Sequence, residues 1–569
     1  MLRLLLCAAF FFRYALALDQ VVDLGYAKYN GSTLNNGIMR WAGMRFARNP
    51  SQKEGLRFMA PQDPLPENGI QNATAFKPLC IGTKSTITAE TGGTHSEDCL
   101  FINVFAPAKA TNDSKLPVYI FIQGGGFNLN GNADYNGAEL INAGDDGIVV
   151  VNFNYRVGPY GFLAAEQVVA NKTLSLNNGL LDQRQAFKWV QKHIRQFGGD
   201  PGHVTIGGAS AGGGSVVFHL TAYGGRNDNL FHAAAAESAA FPTLRNVSES
   251  QWQYDALLNQ TGCSDLNCMA SMDVVTFQTA VRELRKPFPG GVDPPIFFWN
   301  PTLDYDFIKD FTTNELKAGH YIDVPTIFGS TTHDGVIFTP KTVASLSRAQ
   351  SFLIDQFPSV KWDAISQIWG AKAISAATTN NDWRALAADM YGAIRYACPD
   401  LGISAAYARN QSVPTWHYRW NVGAALHVAE LGPIWNNATS AAGVFVQAYW
   451  ASFIRSYDPN THATEFLVAK GSELKSPEWV TFAASKGKRM VFNDDNKVFM
   501  EDVNPVEQQR CEAVNTMGIH LNQPTQDGPP ANNTQPAPHK SSGSRNTPLT
   551  LVSLLSSTIT LVLLHFMVI

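Results

Sequence analysis

The chain has 569 residues, of which 16% are charged and 11% aromatic, with a formal net charge of −4. That composition suits a large packed core and excludes a disordered protein. The slightly acidic balance, with no long basic run, argues against a nucleic-acid partner.

Met1-Leu2-Arg3 followed by Leu4 to Phe12 reads as a signal peptide, a short basic start and an apolar stretch interrupted late by Arg13. Ala15-Leu16-Ala17 supplies small residues for cleavage, so residues 1–18 are expected to be removed. A buried N-terminal helix is the alternative. Cys7 leaves with the signal, and an even set remains: Cys80, Cys99, Cys263, Cys268, Cys398 and Cys511. Spacing alone leaves their pairing open. None forms a zinc-like Cys-x-x-Cys pair, and no metal or cofactor is expected. Glycosylation sequons at Asn30, Asn72, Asn112, Asn171, Asn246, Asn259, Asn410, Asn437 and Asn532 fit the same secretory route.

Next come continuous apolar runs typical of strands covered on both faces. Leu100 to Phe105 ends at Ala106-Pro107, Pro117 to Ile122 runs into Gln123-Gly124-Gly125-Gly126-Phe127, and Ile148 to Phe153 follows. A helix is predicted over roughly Leu180 to Phe197, with Ala186, Phe187, Val190, Ile194 and Phe197 on one face. Gly198-Gly199 and Asp200-Pro201 stop it. Val204-Thr205-Ile206 then leads into Gly208-Ala209-Ser210-Ala211-Gly212, the single Gly-x-Ser-x-Gly of the chain, and Val216 to Leu220 continues as a buried helix. Strand, sharp glycine turn and helix are the setting of a nucleophile elbow, in which the serine adopts strained geometry above a helix N-terminus. The alternation predicts an α/β fold, a large, mostly parallel, doubly wound sheet with helices on both faces.

The later chain is helix-rich and harder to read. Two strands stand out: Val324 to Phe328, running into Gly329 to Gly335, and Thr415 to Trp420, running into Asn421 to His427. Reactive groups of open α/β sheets gather at the carboxyl ends of strands, and three such ends carry Ser210, Asp334 and His427 in the order serine, acid, histidine. A serine hydroxyl is a poor nucleophile until a base takes its proton. His427 is expected as that base and Asp334 as the group that fixes its tautomer. His417, mid-strand among aromatics, is the rival histidine. The Ala211 N–H and the Gly124-Gly125-Gly126 loop offer donors for an oxyanion.

These residues resemble the type-B carboxylesterases, the family of cholinesterases and many fungal lipases. The resemblance is carried by Glu97-Asp98-Cys99-Leu100, Gly124 to Phe127, Asn154-Tyr155-Arg156 with Gly161-Phe162-Leu163, and Asn178 through Asp182-Gln183 to Pro201. The serine segment, Gly329 to Phe338 and His427-x-x-Glu430 complete it. It implies an α/β-hydrolase fold over residues 19–521, an ester-hydrolysing activity, and an oxyanion hole of Gly125, Gly126 and Ala211. It also implies the disulfides Cys80–Cys99, Cys263–Cys268 and Cys398–Cys511. The chain departs from the family pattern in four ways. Asp334 stands where glutamate is usual and His333 where an acid is usual. Gln123 precedes the glycines in place of His or Tyr, and Ala209 replaces the glutamate that cholinesterases carry before the nucleophile. Residues 81–98 contain no aromatic, so choline esters are not expected. The expected substrate is a small-molecule or lipid ester. A lipase acting on acylglycerols and a non-catalytic adhesion or receptor ectodomain are the alternatives.

Residues 522–544, rich in Pro, Gln, Asn and Ser, read as a linker. Ser541-Ser542-Gly543-Ser544, a short polar spacer and apolar Leu549 to Ile569 form a signal for a glycosylphosphatidylinositol anchor within residues 545–569, with a retained membrane span as the alternative. The expected location is extracellular or at the cell surface. Oligomeric state is left open.

Overall fold

The computed structural model describes residues 17–521, apart from 89–93, 131–134, 359–360, 470, 472–474 and 496. The expectations for the signal peptide, the linker, the C-terminal anchor and Asn532 therefore lie outside the described residues.

The apolar runs form an eleven-stranded sheet. In chain order its strands are β1 (Ser32–Thr33), β2 (Ile38–Arg45), β3 (Phe101–Pro107), β4 (Leu116–Ile122), β5 (Val149–Phe153), β6 (Gly199–Ala209), β7 (Ala233–Glu237), β8 (Thr326–Thr331), β9 (Thr415–Asn421), β10 (Lys488–Asn493) and β11 (Val498–Asp502). Their spatial order is β11-β10-β9-β8-β7-β6-β4-β5-β3-β2-β1. From β5 across to β10 every neighbour pairs in parallel, and antiparallel strands finish both edges.

Alternation along the strands explains why the sheet is covered on both sides. In β4, Val118, Ile120 and Ile122 enter one apolar cluster while Tyr119 and Phe121 enter a second, as the two-residue period of a strand requires. Helices α1 (Asn178–His193) and α2 (Ala211–Gly225) supply Phe187, Val190, Val216 and Val217 to the first. Five strands were legible to within two or three residues. The predicted helix ends at His193 and closes as a 3₁₀ turn, Ile194–Phe197, stopped by Gly198 at φ 79°. Its five predicted core residues are all buried. Strand β6 is longer than expected because its register with β4 slips between Gly199 and Val204.

Three elements complete the surroundings of the strand ends. Helix α3 (Trp383–Gly392) continues through a π-helical turn, Ala393–Ala397, into α4 (Cys398–Asn410). Helix α5 (Ala441–Ser456) covers the second face, contributing Trp450 and Phe453 to its cluster. Helix α6 (Pro505–Leu521) is tied to α4 by the bond between Cys398 and Cys511. Cys80–Cys99 and Cys263–Cys268 are the other bonded pairs, as the resemblance implied.

Candidate active site

The central strand β6 lies between β4 and β7, with Gly208 opposite Ile122 and Ala209 opposite Glu237. Ser210 follows at once, at φ 56° and ψ −123°, before helix α2 begins at Ala211. A non-glycine residue there costs free energy that the surroundings must offset. They do so with backbone bonds. Ser210 N–H donates to Glu237 O (2.9 Å), and Ser210 O accepts from Ala240 N–H (2.9 Å) and Gly214 N–H (2.8 Å). Gly212 is obligatory because a Cβ there would run into the Ile122 carbonyl oxygen.

Asp334 and His427 come from the loops after β8 and β9, adjacent strands in register. The loops are stitched together: Thr332 N–H donates to Trp420 O (3.0 Å) and His333 N–H to Ala425 O (2.9 Å). His427 Nδ1 lies 2.6 Å from Asp334 Oδ1, both side chains being buried, and Thr331 N–H donates to Asp334 Oδ2 at 3.1 Å. A carboxylate only accepts, so this contact fixes the proton on Nδ1 and leaves Nε2 as the basic nitrogen. Nε2 is buried and pairs with no other group among the described residues. Phe338 and Tyr396 both pack against the imidazole, with ring centroids at 5.0 Å and 4.5 Å.

The other histidines are placed differently. His333 is exposed, its Nδ1 2.9 Å from Ala424 O. His417 is buried in β9 with Nδ1 3.0 Å from Ser404 Oγ, and burial lowers its pKa to about 3. It is a neutral core histidine.

The glycine loop after β4 lies directly on the elbow. A Cβ on Gly124 would stand 3.0 Å from Ser210 Cβ, and one on Gly126 (φ 61°) would land in the Phe297 ring. The N–H groups of Gly125, Gly126 and Ala211 donate to no backbone carbonyl among the described residues. Asn128, not singled out in the sequence, holds this loop. Its buried Nδ2 donates to Gly126 O (2.6 Å) and Trp299 O (2.7 Å), and its Oδ1 accepts from Trp299 N–H (3.0 Å). Tyr155 Oη donates to Gln123 O (3.0 Å). Leu129, Phe297 and Phe338 are half-buried beside the loop and the imidazole.

Several motif residues prove to be architectural. Arg156 and Asp182 form a buried bidentate pair (2.8 and 2.6 Å), and Glu97 pairs with Arg57 beside Cys99. Three further acids lie buried near the strand ends. Glu430 accepts from Tyr418 Oη (2.7 Å), and burial pushes its pKa up to about 8. Glu237 accepts from Trp450 Nε1 (2.9 Å), and it and Asp400 are likewise raised by burial. A cavity of about 680 Å³ abuts Asp334, Arg419 and Arg489, but neither Ser210 nor His427 lines it. It is therefore not where an ester would meet the serine.

Residues 19–513 match the model of the Carboxylesterase family. The chain is 27% identical to a para-nitrobenzyl esterase of Bacillus subtilis over 79% of this chain and 92% of that one. It is 27% identical to secreted lipase 4 of Gibberella zeae, over 80% and 86%. The crystal structure of Aspergillus niger EstA superposes with a TM-score of 0.79 at 36% identity, covering 89% of this chain and 99% of that one. With the family matched along nearly the whole described chain, and a sheet like those of solved esterases, this chain belongs to the carboxylesterase family and is a carboxylic-ester hydrolase of the α/β-hydrolase fold.

Proposed function

We propose that the chain hydrolyses carboxylic esters through an acyl-enzyme on Ser210. His427 Nε2 takes the Oγ proton as Oγ attacks the carbonyl carbon. The N–H groups of Gly125, Gly126 and Ala211 receive the oxyanion. Collapse breaks the ester bond, and His427 returns the proton to the leaving alcohol. Water then repeats the sequence on the acyl-enzyme, releasing the acid and restoring Ser210. Asp334 holds the tautomer throughout. The observation that carries this reading is the 2.6 Å contact between buried His427 Nδ1 and Asp334 Oδ1 after two adjacent strands, with the strained Ser210 following a third strand of the same sheet. The half-buried apolar side chains of Leu129, Phe297 and Phe338 favour an apolar acyl or alcohol group.

The test is hydrolysis of p-nitrophenyl esters of rising acyl length by the parent and by Ser210→Ala. Loss of a triad serine costs on the order of 10⁶ in kcat. Equal rates for the two proteins would remove the reading, and the acyl length giving the highest kcat/KM sorts esterase from lipase. Export is part of the proposal, supported by the N-terminal composition, the three disulfides and the likeness to a secreted lipase. So is a lipid anchor added near Ser541 to Ser544. Release of activity from intact cells by phosphatidylinositol-specific phospholipase C is expected. Activity that stays cell-bound, with residues 549–569 retained, argues for the span.

A further inference from the structure

Asp334 is one methylene shorter than the glutamate usual in the family, yet its Oδ1 lies 2.6 Å from His427 Nδ1. The imidazole must therefore be held toward a short acid. One continuous element adjoins the imidazole and the acid loop and reaches the serine through Phe241 and Ala240. Helix α3 passes through the π-helical turn Ala393–Ala397 into α4. A π turn fits an extra residue into a helix and re-aims the side chains around it, and such turns are rare.

Here the turn carries Tyr396, fully buried, with its ring 4.5 Å from the His427 ring at 44°. Phe338 stacks on Tyr396 at 5.8 Å and meets the same imidazole edge-on at 5.0 Å. The acid loop rests on the same element: a Cβ on Gly335 would strike the Ala388 carbonyl and come within 2.8 Å of Gly392 N. The serine is reached as well. Phe241 N–H donates to Arg395 O (3.0 Å), Arg395 Nη1 donates to Phe241 O (3.2 Å), and the preceding Ala240 N–H bonds Ser210 O. The Tyr396 phenol is close enough to Asp334 for that charge to add to the upward shift that burial causes, so it stays neutral.

We propose that Tyr396 is a positioning residue whose ring, presented by the π turn against the His427 imidazole, keeps that imidazole within reach of Asp334 and resists the displacement a longer acid would force. It acts through the imidazole and transfers no proton. The inference rests on the catalytic reading of Ser210, His427 and Asp334 given above.

The test compares the parent with Tyr396→Ala, Tyr396→Phe, Asp334→Glu and the double variant Asp334→Glu/Tyr396→Ala on p-nitrophenyl acetate. Loosening an imidazole by about an ångström costs roughly 10- to 100-fold. Tyr396→Ala is expected to lose that much in kcat, with KM within about threefold of the parent and the acid limb of the kcat–pH profile displaced. Tyr396→Phe keeps the ring and recovers most of the loss. Asp334→Glu is impaired beside Tyr396 and regains roughly tenfold or more once the ring is removed, a coupling that independent sites do not show. Thermal melts check folding, and Tyr396→Leu replaces the alanine variant if that one does not fold. A folded alanine or leucine variant with parental kcat, or an Asp334→Glu loss indifferent to residue 396, overturns the inference. A parent that turns over no ester strikes the catalytic reading instead.

Discussion

Replacing Asp334 by asparagine keeps the shape of the side chain and removes its charge, and the structure dictates how the amide must sit. Thr331 N–H lies 3.1 Å from Oδ2 and requires an acceptor. The amide oxygen takes that place, so the NH₂ group turns to His427 Nδ1, where Oδ1 stood at 2.6 Å. A donor there demands a lone pair on Nδ1, which moves the imidazole proton to Nε2. Nε2 then cannot accept the Ser210 proton. Loss of the working tautomer costs about 10⁴ in kcat in Ser-His-Asp enzymes. At about 1.36 kcal/mol per decade that is roughly 5 kcal/mol of barrier. KM should change little, because Asp334 is 2% exposed and sits behind the imidazole. The assay is steady-state hydrolysis of p-nitrophenyl acetate, with a thermal melt to verify folding. Asp334→Ala serves as control: it leaves both tautomers open, so the asparagine variant must be at least as impaired. Asparagine activity within about tenfold of the parent would refute the assignment. The role would then pass to Glu430 or Asp400, buried acids near enough to feel the charge of Asp334.

Gly124→Ala places a Cβ 2.8 Å from Ala209 O and 3.0 Å from Ser210 Cβ. It should cost roughly 10²–10³ in kcat, as loss of an oxyanion donor does, and an unchanged kcat would separate the loop from the reacting centre. Glu430, with its pKa raised to about 8, keeps its proton in the folded chain between pH 4.5 and 8 while the unfolded chain releases it, so stability falls as pH rises through that window. Glu430→Gln should flatten that fall in urea melts at pH 5 and pH 8, and an equal slope in both proteins refutes it. Cys398–Cys511 closes a loop of 113 residues, so replacing both by serine should cost about 4–5 kcal/mol. Free thiols at both positions in the parent would contradict the pairing.

The stretch from Leu100 to Ser210 was legible because its strands are continuous apolar runs, whereas β1 and β2, before it, were not foreseen. Nor was strand β7. Its sequence, Ala233 to Glu237, is four alanines and an acid, with no β-branched residue to mark it, and it becomes a strand because β6 and β8 hold it from both sides. Tyr396 was invisible for a different reason. Its approach to His427 depends on the π turn, and no periodicity in Gly392 to Cys398 announces one. Asn128 was hidden in the glycine loop, since an asparagine in a loop is ordinarily a turn residue and its use as a clamp depends on Trp299, far away in sequence. Ser210, Asp334 and His427 could be singled out as candidates because strand ends are recognisable even where the intervening helices are not.

The most direct measurement is labelling of the intact enzyme with a fluorophosphonate, followed by peptide mass spectrometry and titration of residual esterase activity against adduct. One adduct per chain is expected, on the Ser210 peptide, with activity lost in proportion and no labelling of Ser210→Ala. An active enzyme that takes up no label, or that carries it on another residue while Ser210 stays free, contradicts an acyl-enzyme at Ser210.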